Sequence, residues 1–144
     1  MGGRLVVETR SLVYPRDLCD PKDWLNFVQL SPFESSWKKL GLTDDDLRAL
    51  EICVMIDPQR PSVVAGTGGV RKLRFSPPQW SRGKSGALRI CYAFFPAAGL
   101  VVLITAYGKE SKDNLSPAEK KVIKGLMSDI GRYLEGLASK EKGV

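Results

Sequence analysis

The side chains in this chain best suited to chemistry are cationic, and they come as a block. Between Asp57 and Glu110 there is no Asp or Glu, yet eight basic residues fall there: Arg60, Arg71, Lys72, Arg74, Arg82, Lys84, Arg89 and Lys109. Of the 22 Lys and Arg in the chain, the other 14 face all 16 acidic residues, so the net charge of +6 is made in this window. A concentrated cationic field on two strands and their connecting loop is the footprint of a polyanion site. In Arg71-Lys72-Leu73-Arg74 the alternation of a strand puts Lys72 and Arg74 on one face and Arg71 with Leu73 on the other. Such charges are often only a solvated face. Here no nearby carboxylate is available to pair them, and unpaired like charges repel, which favours a functional role for Lys72 and Arg74. Arg89 stands between Leu88 and Ile90 in an apolar strand, where a bound phosphate would supply the partner that a cation needs. Tyr107 opens Tyr107-Gly108-Lys109 at the end of the following strand, as a reactive phenol or as an aromatic at the edge of the core.

Other chemistries are excluded by what surrounds these residues. The chain has no histidine, which removes the commonest general base and metal ligand. Cys19, Cys53 and Cys91 share no ligand spacing; the apolar neighbours of Cys53 and Cys91 predict buried free thiols in a reducing cytoplasm. Gly66-Thr67-Gly68-Gly69 fails as a dinucleotide loop, because the last glycine of that fingerprint is replaced by Arg71 and no helix follows. Gly83-Lys84-Ser85 fails as the end of a phosphate loop, because its first glycine is replaced by Pro78. The four-residue glycine run is read as a tight turn into a strand. No apolar run is long enough to span a bilayer, and Met1 to Val7 is too short and weakly charged for a secretory signal, so a cytoplasmic protein without a membrane partner is expected.

With 43% hydrophobic and 26% charged residues over 144 positions, one domain is expected. Its elements are legible in part. Residues 1–22 show no clean period and read as an extension, with at most one short strand; the domain proper is placed at 23–138 and a charged tail at 139–144. Trp24 to Leu30 predicts a strand. Ser31-Pro32-Phe33-Glu34 predicts a capping box with Ser31 as cap, and Gly41 ends that helix. Thr43 followed by three aspartates starts a second helix, with Leu47, Leu50 and Val54 on its inner face and Asp57-Pro58 at its end. Val70–Phe75, Ala87–Phe95 and Leu100–Tyr107 are strands, the last two a hairpin, and the apolar run Leu100–Ile104 marks a central one. Ser116-Pro117-Ala118-Glu119 is a second capping box. It opens a helix with Val122, Ile123, Leu126, Met127, Ile130, Tyr133, Leu134 and Leu137 on one face and Lys120, Lys121 and Lys124 on the other.

The runs Gly66–Arg74, Gly83–Tyr92 and Leu103–Glu110, with Asp113-Asn114-Leu115-Ser116 before the last helix, resemble the RelE/HigB superfamily of bacterial type II toxins. The likeness lies with its HigB-type branch of phage-derived RelE-like addiction-module toxins and covers about Leu25 to Leu137. It implies an α+β fold of the RelE kind, with two N-terminal helices packed on a small, mainly antiparallel twisted sheet and a C-terminal helix. It also implies a toxin that stops translation as a ribosome-dependent mRNA endoribonuclease, an mRNA interferase. Its partners would be the ribosome, the message and a cognate antitoxin, a small helix-turn-helix DNA-binding protein. Cleavage without a metal or cofactor uses the neighbouring 2′-OH as nucleophile. The protein removes its proton, stabilises the phosphorane and protonates the leaving 5′-oxygen. With no histidine in the chain and no carboxylate in the window, neither a histidine pair nor a two-metal site is available there. A lysine crowded by arginines can serve as base. The expected catalytic set is Lys72 as base, Arg74 and Arg89 as phosphate clamps, and Tyr107 or Lys109 near the scissile nucleotide, with roles interchangeable. Arg71, Arg82 and Lys84 are expected to hold RNA. Two other classes use the same basic groove: a non-catalytic RNA-binding module, and a regulatory subunit that receives an acidic partner segment.

Overall fold

The computed structural model describes residues 6–7, 24–78, 87–108 and 114–142. Their elements follow in the order β1 (Val6–Val7), β2 (Asn26–Gln29), α1 (Ser31–Lys39), α2 (Asp44–Ile56), β3 (Arg71–Phe75), β4 (Leu88–Phe95), β5 (Leu100–Gly108) and α3 (Pro117–Lys142). The fold is α+β, and the sheet runs β1-β2-β5-β4-β3. Its pairs are antiparallel except β2 with β5, which is parallel. Among the described residues no helix is long and apolar enough to cross a membrane.

The sheet is covered on both faces, which explains the unbroken apolar run of β5 at its centre. On one face α1 and α2 bring Phe33, Trp37, Leu47, Leu50 and Val54 onto Leu73, Phe75, Leu88, Ile90, Tyr92, Val101, Leu103 and Ala106. Trp37 stacks between Phe33 and Phe75, with ring centroids 5.2 and 6.4 Å away. On the other face α3 brings Ile123 and Ile130 onto Val70, Cys91, Ala93, Val102, Ile104 and Tyr107.

Helix starts followed two rules. Thr43 caps α2 and Asp46 completes the box: Asp46 N donates to Thr43 Oγ1 at 3.2 Å and Thr43 N to Asp46 Oδ2 at 2.9 Å. Ser116 and Glu119 make the same exchange before α3, at 2.8 and 3.1 Å. The box expected at Ser31 does not form. Leu30 N donates to Leu103 O at 3.0 Å, so sheet pairing holds Leu30 extended and makes it the cap residue, with Ser31 already helical. The hairpin turn is as expected, closed by Gly99 in the left-handed region at φ 57°.

The short strand allowed for in residues 1–22 is present, and two other expectations are corrected. Val6–Val7 pairs antiparallel with Val28 and Gln29, so this part of the N-terminal extension belongs to the sheet. Cys91 is buried, but Cys53 lies outside the Leu47–Leu50–Val54 face of α2 and is exposed. The apolar face of α3 is narrower than its periodicity suggests. Ile123 and Ile130 are buried, whereas Val122, Tyr133 and Leu137 are 72%, 60% and 43% exposed, because one sheet face covers only part of a helix circumference.

Candidate functional site

Strand register decides which cations meet. Arg74 of β3 is the direct partner of Arg89 in β4, and Arg89 is the partner of Tyr107 in β5. Leu73, Phe75, Leu88 and Ile90 all point into the α1–α2 core, so alternation puts Lys72, Arg74 and Arg89 on the α3 face. Lys72 lies one pair along, opposite Cys91. The result is a row Arg74–Arg89–Tyr107 across three strands, with Lys72 beside it.

Tyr107 joins this row through a β-bulge. Leu103 pairs with Tyr92 and Thr105 with Cys91, which leaves Ile104 as an extra residue in β5. Unbroken alternation from Leu103 would turn Tyr107 toward α1 and α2. The extra residue turns Ala106 that way instead and places Tyr107 among Cys91, Ile104 and Ile123 on the α3 face.

The electrostatics of the row are uneven. Arg74 is exposed and Arg89 half-buried, its Nη1 donating to Ala87 O at 2.8 Å. Among the described residues, no carboxylate lies within ion-pair distance of Lys72, Arg74 or Arg89. Lys72 Nζ donates to Asn114 Oδ1 at 3.1 Å, a contact across 42 positions that brings the start of α3 to the site. Burial pushes the Tyr107 phenol up to about 12, with Cys91 and Glu119 adding to the rise and Arg89 opposing it. Glu119 is thus the acidic group that α3 brings near a window free of acids in sequence. At neutral pH Tyr107 keeps its proton, and its hydroxyl is buried on the α3 side.

Arg71 is placed elsewhere. Its Nη1 donates to Gln59 O at 2.8 Å and Pro61 O at 2.7 Å, on the face where Tyr92 OH donates to Pro58 O at 2.7 Å. The structure therefore brings together Lys72, Arg74, Arg89 and Tyr107 and leaves Arg71 as an anchor for the 58–61 segment. Arg82, Lys84 and Lys109 lie outside the described residues. Asn114 had no place in the expected site, since nothing local in sequence links it to Lys72. An apolar groove of about 680 Å³ between Phe95–Ala98 and the Gly131–Ala138 end of α3 holds none of the row residues. No protein-family model matches the chain.

Proposed function

We propose that the protein is a ribosome-dependent mRNA endoribonuclease of the RelE/HigB type, the toxin of a toxin–antitoxin pair, and that its fold is of the RelE kind. One observation carries the reading: two guanidiniums, Arg74 and Arg89, are cross-strand partners with no carboxylate between them and a protonated tyrosine next in the row. Like charges opposed across a strand pair are destabilising by about 0.2–1 kcal/mol. An anion with several oxygens, such as a phosphodiester, turns that repulsion into charge-assisted hydrogen bonding.

The chemistry assigned to the row is in-line transesterification. The 2′-oxygen loses its proton and bonds to phosphorus, and the bond from phosphorus to the 5′-oxygen breaks. The products are a 2′,3′-cyclic phosphate and a 5′-hydroxyl. Arg74 and Arg89 hold the equatorial oxygens as charge accumulates. Protonation of the leaving 5′-oxygen is assigned to Tyr107, whose buried hydroxyl has to open onto the row when RNA binds. Lys72, oriented by Asn114, is the candidate to take the 2′-proton or, as an ammonium, to share the phosphorane charge. Control in the cell falls to a cognate antitoxin, either by an acidic segment in the basic groove or by obstruction of the ribosome.

The test is purified protein in a translating extract with primer extension on the message. Wild type is expected to produce discrete stops within codons and Lys72→Ala/Arg89→Ala none, with both proteins equally folded by circular dichroism. Binding of RNA without stops would assign a non-cleaving RNA-binding module. Undiminished stops from the folded double variant would remove these two residues from the site.

A further inference from the structure

The glycine run before β3 makes a second cationic feature, on the same side of the sheet as the row. Gly66, Gly68 and Gly69 have φ of 81°, 78° and 116°, in the left-handed region that favours glycine. Fully buried Thr67 rivets the turn: its Oγ1 donates to Val64 O at 2.6 Å and accepts from Val70 N at 3.1 Å. The turn lies against α3. A Cβ built on Gly66 would sit 3.7 Å from Lys120 Cδ, and one on Gly68 3.6 Å from Lys124 Cγ and 3.5 Å from Met127 Cβ. The stems of Lys120 and Lys124 are thus packed on bare backbone, which limits their rotamers and leaves the ammonium ends outward. Neither forms an ion pair with any described residue.

The contacts can be followed along α3. Lys72 meets Asn114 just before the helix, and farther along α3 Lys120 meets Gly66 and Lys124 meets Gly68. From the start of α3 to Lys124 the helix rises roughly 10 Å. Cations therefore continue from the row along the seam between edge strand β3 and α3. Spacing of four residues puts Lys120 and Lys124 on one helix face, where like charges repel each other unless something anionic lies across them.

We propose that this seam is a binding track for the single-stranded RNA backbone flanking the cleaved step, with Lys120 and Lys124 contacting phosphates beyond those held by Arg74 and Arg89. The track rests on the reading of the row as an RNA site. It adds reach and affinity, and takes no part in bond breaking.

Binding of a short fluorescein-labelled oligouridylate, followed by anisotropy across a range of salt concentrations, tests it. Lys120→Gln/Lys124→Gln is expected to weaken binding and to make the slope of log affinity against log salt shallower by about 1.4, two single-strand phosphate contacts. Lys38→Gln/Lys39→Gln, on α1 across the sheet, removes the same charge and is expected to leave the slope unchanged. A slope equal to wild type in the α3 variant, or an equal change in the α1 variant, overturns the track. Wild-type binding that is indifferent to Lys72→Gln/Arg89→Gln removes the site reading itself, and the track with it. A variant that loses the slope yet cleaves a saturating message at the wild-type rate supports the track as a holding surface.

Discussion

Arg71 and Lys72 are neighbours in one strand, carry the same charge and have opposite fates. Arg71 faces α2 and the 58–61 segment, where two carbonyls take its guanidinium. Lys72 faces α3 and has one side-chain amide as its partner. The two tyrosines repeat the contrast. Tyr92 donates a hydrogen bond to the Pro58 carbonyl, and burial lifts its phenol to about 12; Tyr107 is lifted as far but lies beside Arg89. One face satisfies its polar groups with backbone, while the other gathers cations that the described residues do not neutralise. The first arrangement is what stability selects. The second raises the folded state's energy and makes sense when a ligand completes it.

Four measurements can break or sharpen this contrast. The largest effect is expected for Tyr107→Phe, which keeps the ring and removes the proton: cleavage should fall about 100-fold, in the range of one general acid. Tyr92→Phe in parallel should cleave at the wild-type rate. Equal losses in the two variants would mean that the phenols act through the fold alone. Next, Arg71→Ala should lower stability to urea by about 1–2 kcal/mol, as expected for hydrogen bonds from a charged group, with cleavage retained. A stable but inactive Arg71→Ala would return that residue to the RNA site.

The third measurement concerns alkali. Both phenols have folded-state values above the ordinary 10, so the unfolded chain releases these protons first. Their contribution to stability is full below pH 10 and is lost as pH rises through about 12. Urea titrations over that window should show a fall that Tyr107→Phe makes shallower. A variant curve parallel to wild type would mean that Tyr107 ionises as a free phenol. The smallest effect, a few tenths of a kcal/mol, is expected for Arg74→Thr, which relieves the cross-strand repulsion with Arg89 and should stabilise the fold while weakening RNA binding. A loss of stability on that change would show that the two guanidiniums are not opposed.

The sequence carried the local half of this architecture. Capping chemistry placed α2 and α3, the glycine and Pro96 marked the β4–β5 turn, and alternation put Lys72 and Arg74 on one face. Long-range pairing is where local reading failed. Ser31 looked like a cap, but the bond from Leu30 N to Leu103 O had already fixed where extended chain ends. The periodicity of α3 counted Val122, Tyr133 and Leu137 as inner residues without knowing how much of the helix one sheet face would cover. Asn114 and Lys72 are 42 positions apart, and Arg71 found its carbonyls in a loop with no pattern to announce them. The face of Tyr107 depended on a register shift between two strands, which neither strand encodes alone.

That shift gives β5 a parity. Between Leu103, which serves the α1–α2 core, and Tyr107, which serves the opposite face, an odd residue must intervene, and Ile104 is that residue. The bulge absorbs that residue: without Ile104, plain alternation would keep Leu103 and Ala106 on the α1–α2 side and Tyr107 on the α3 side. With every residue kept and the bulge flattened, Ala106 and Tyr107 trade places: an alanine stands next to Arg89, and a phenol is pressed into the packing of Phe33 and Trp37. The bulge that accommodates this residue thus keeps Tyr107 on the side of the sheet that holds the cations.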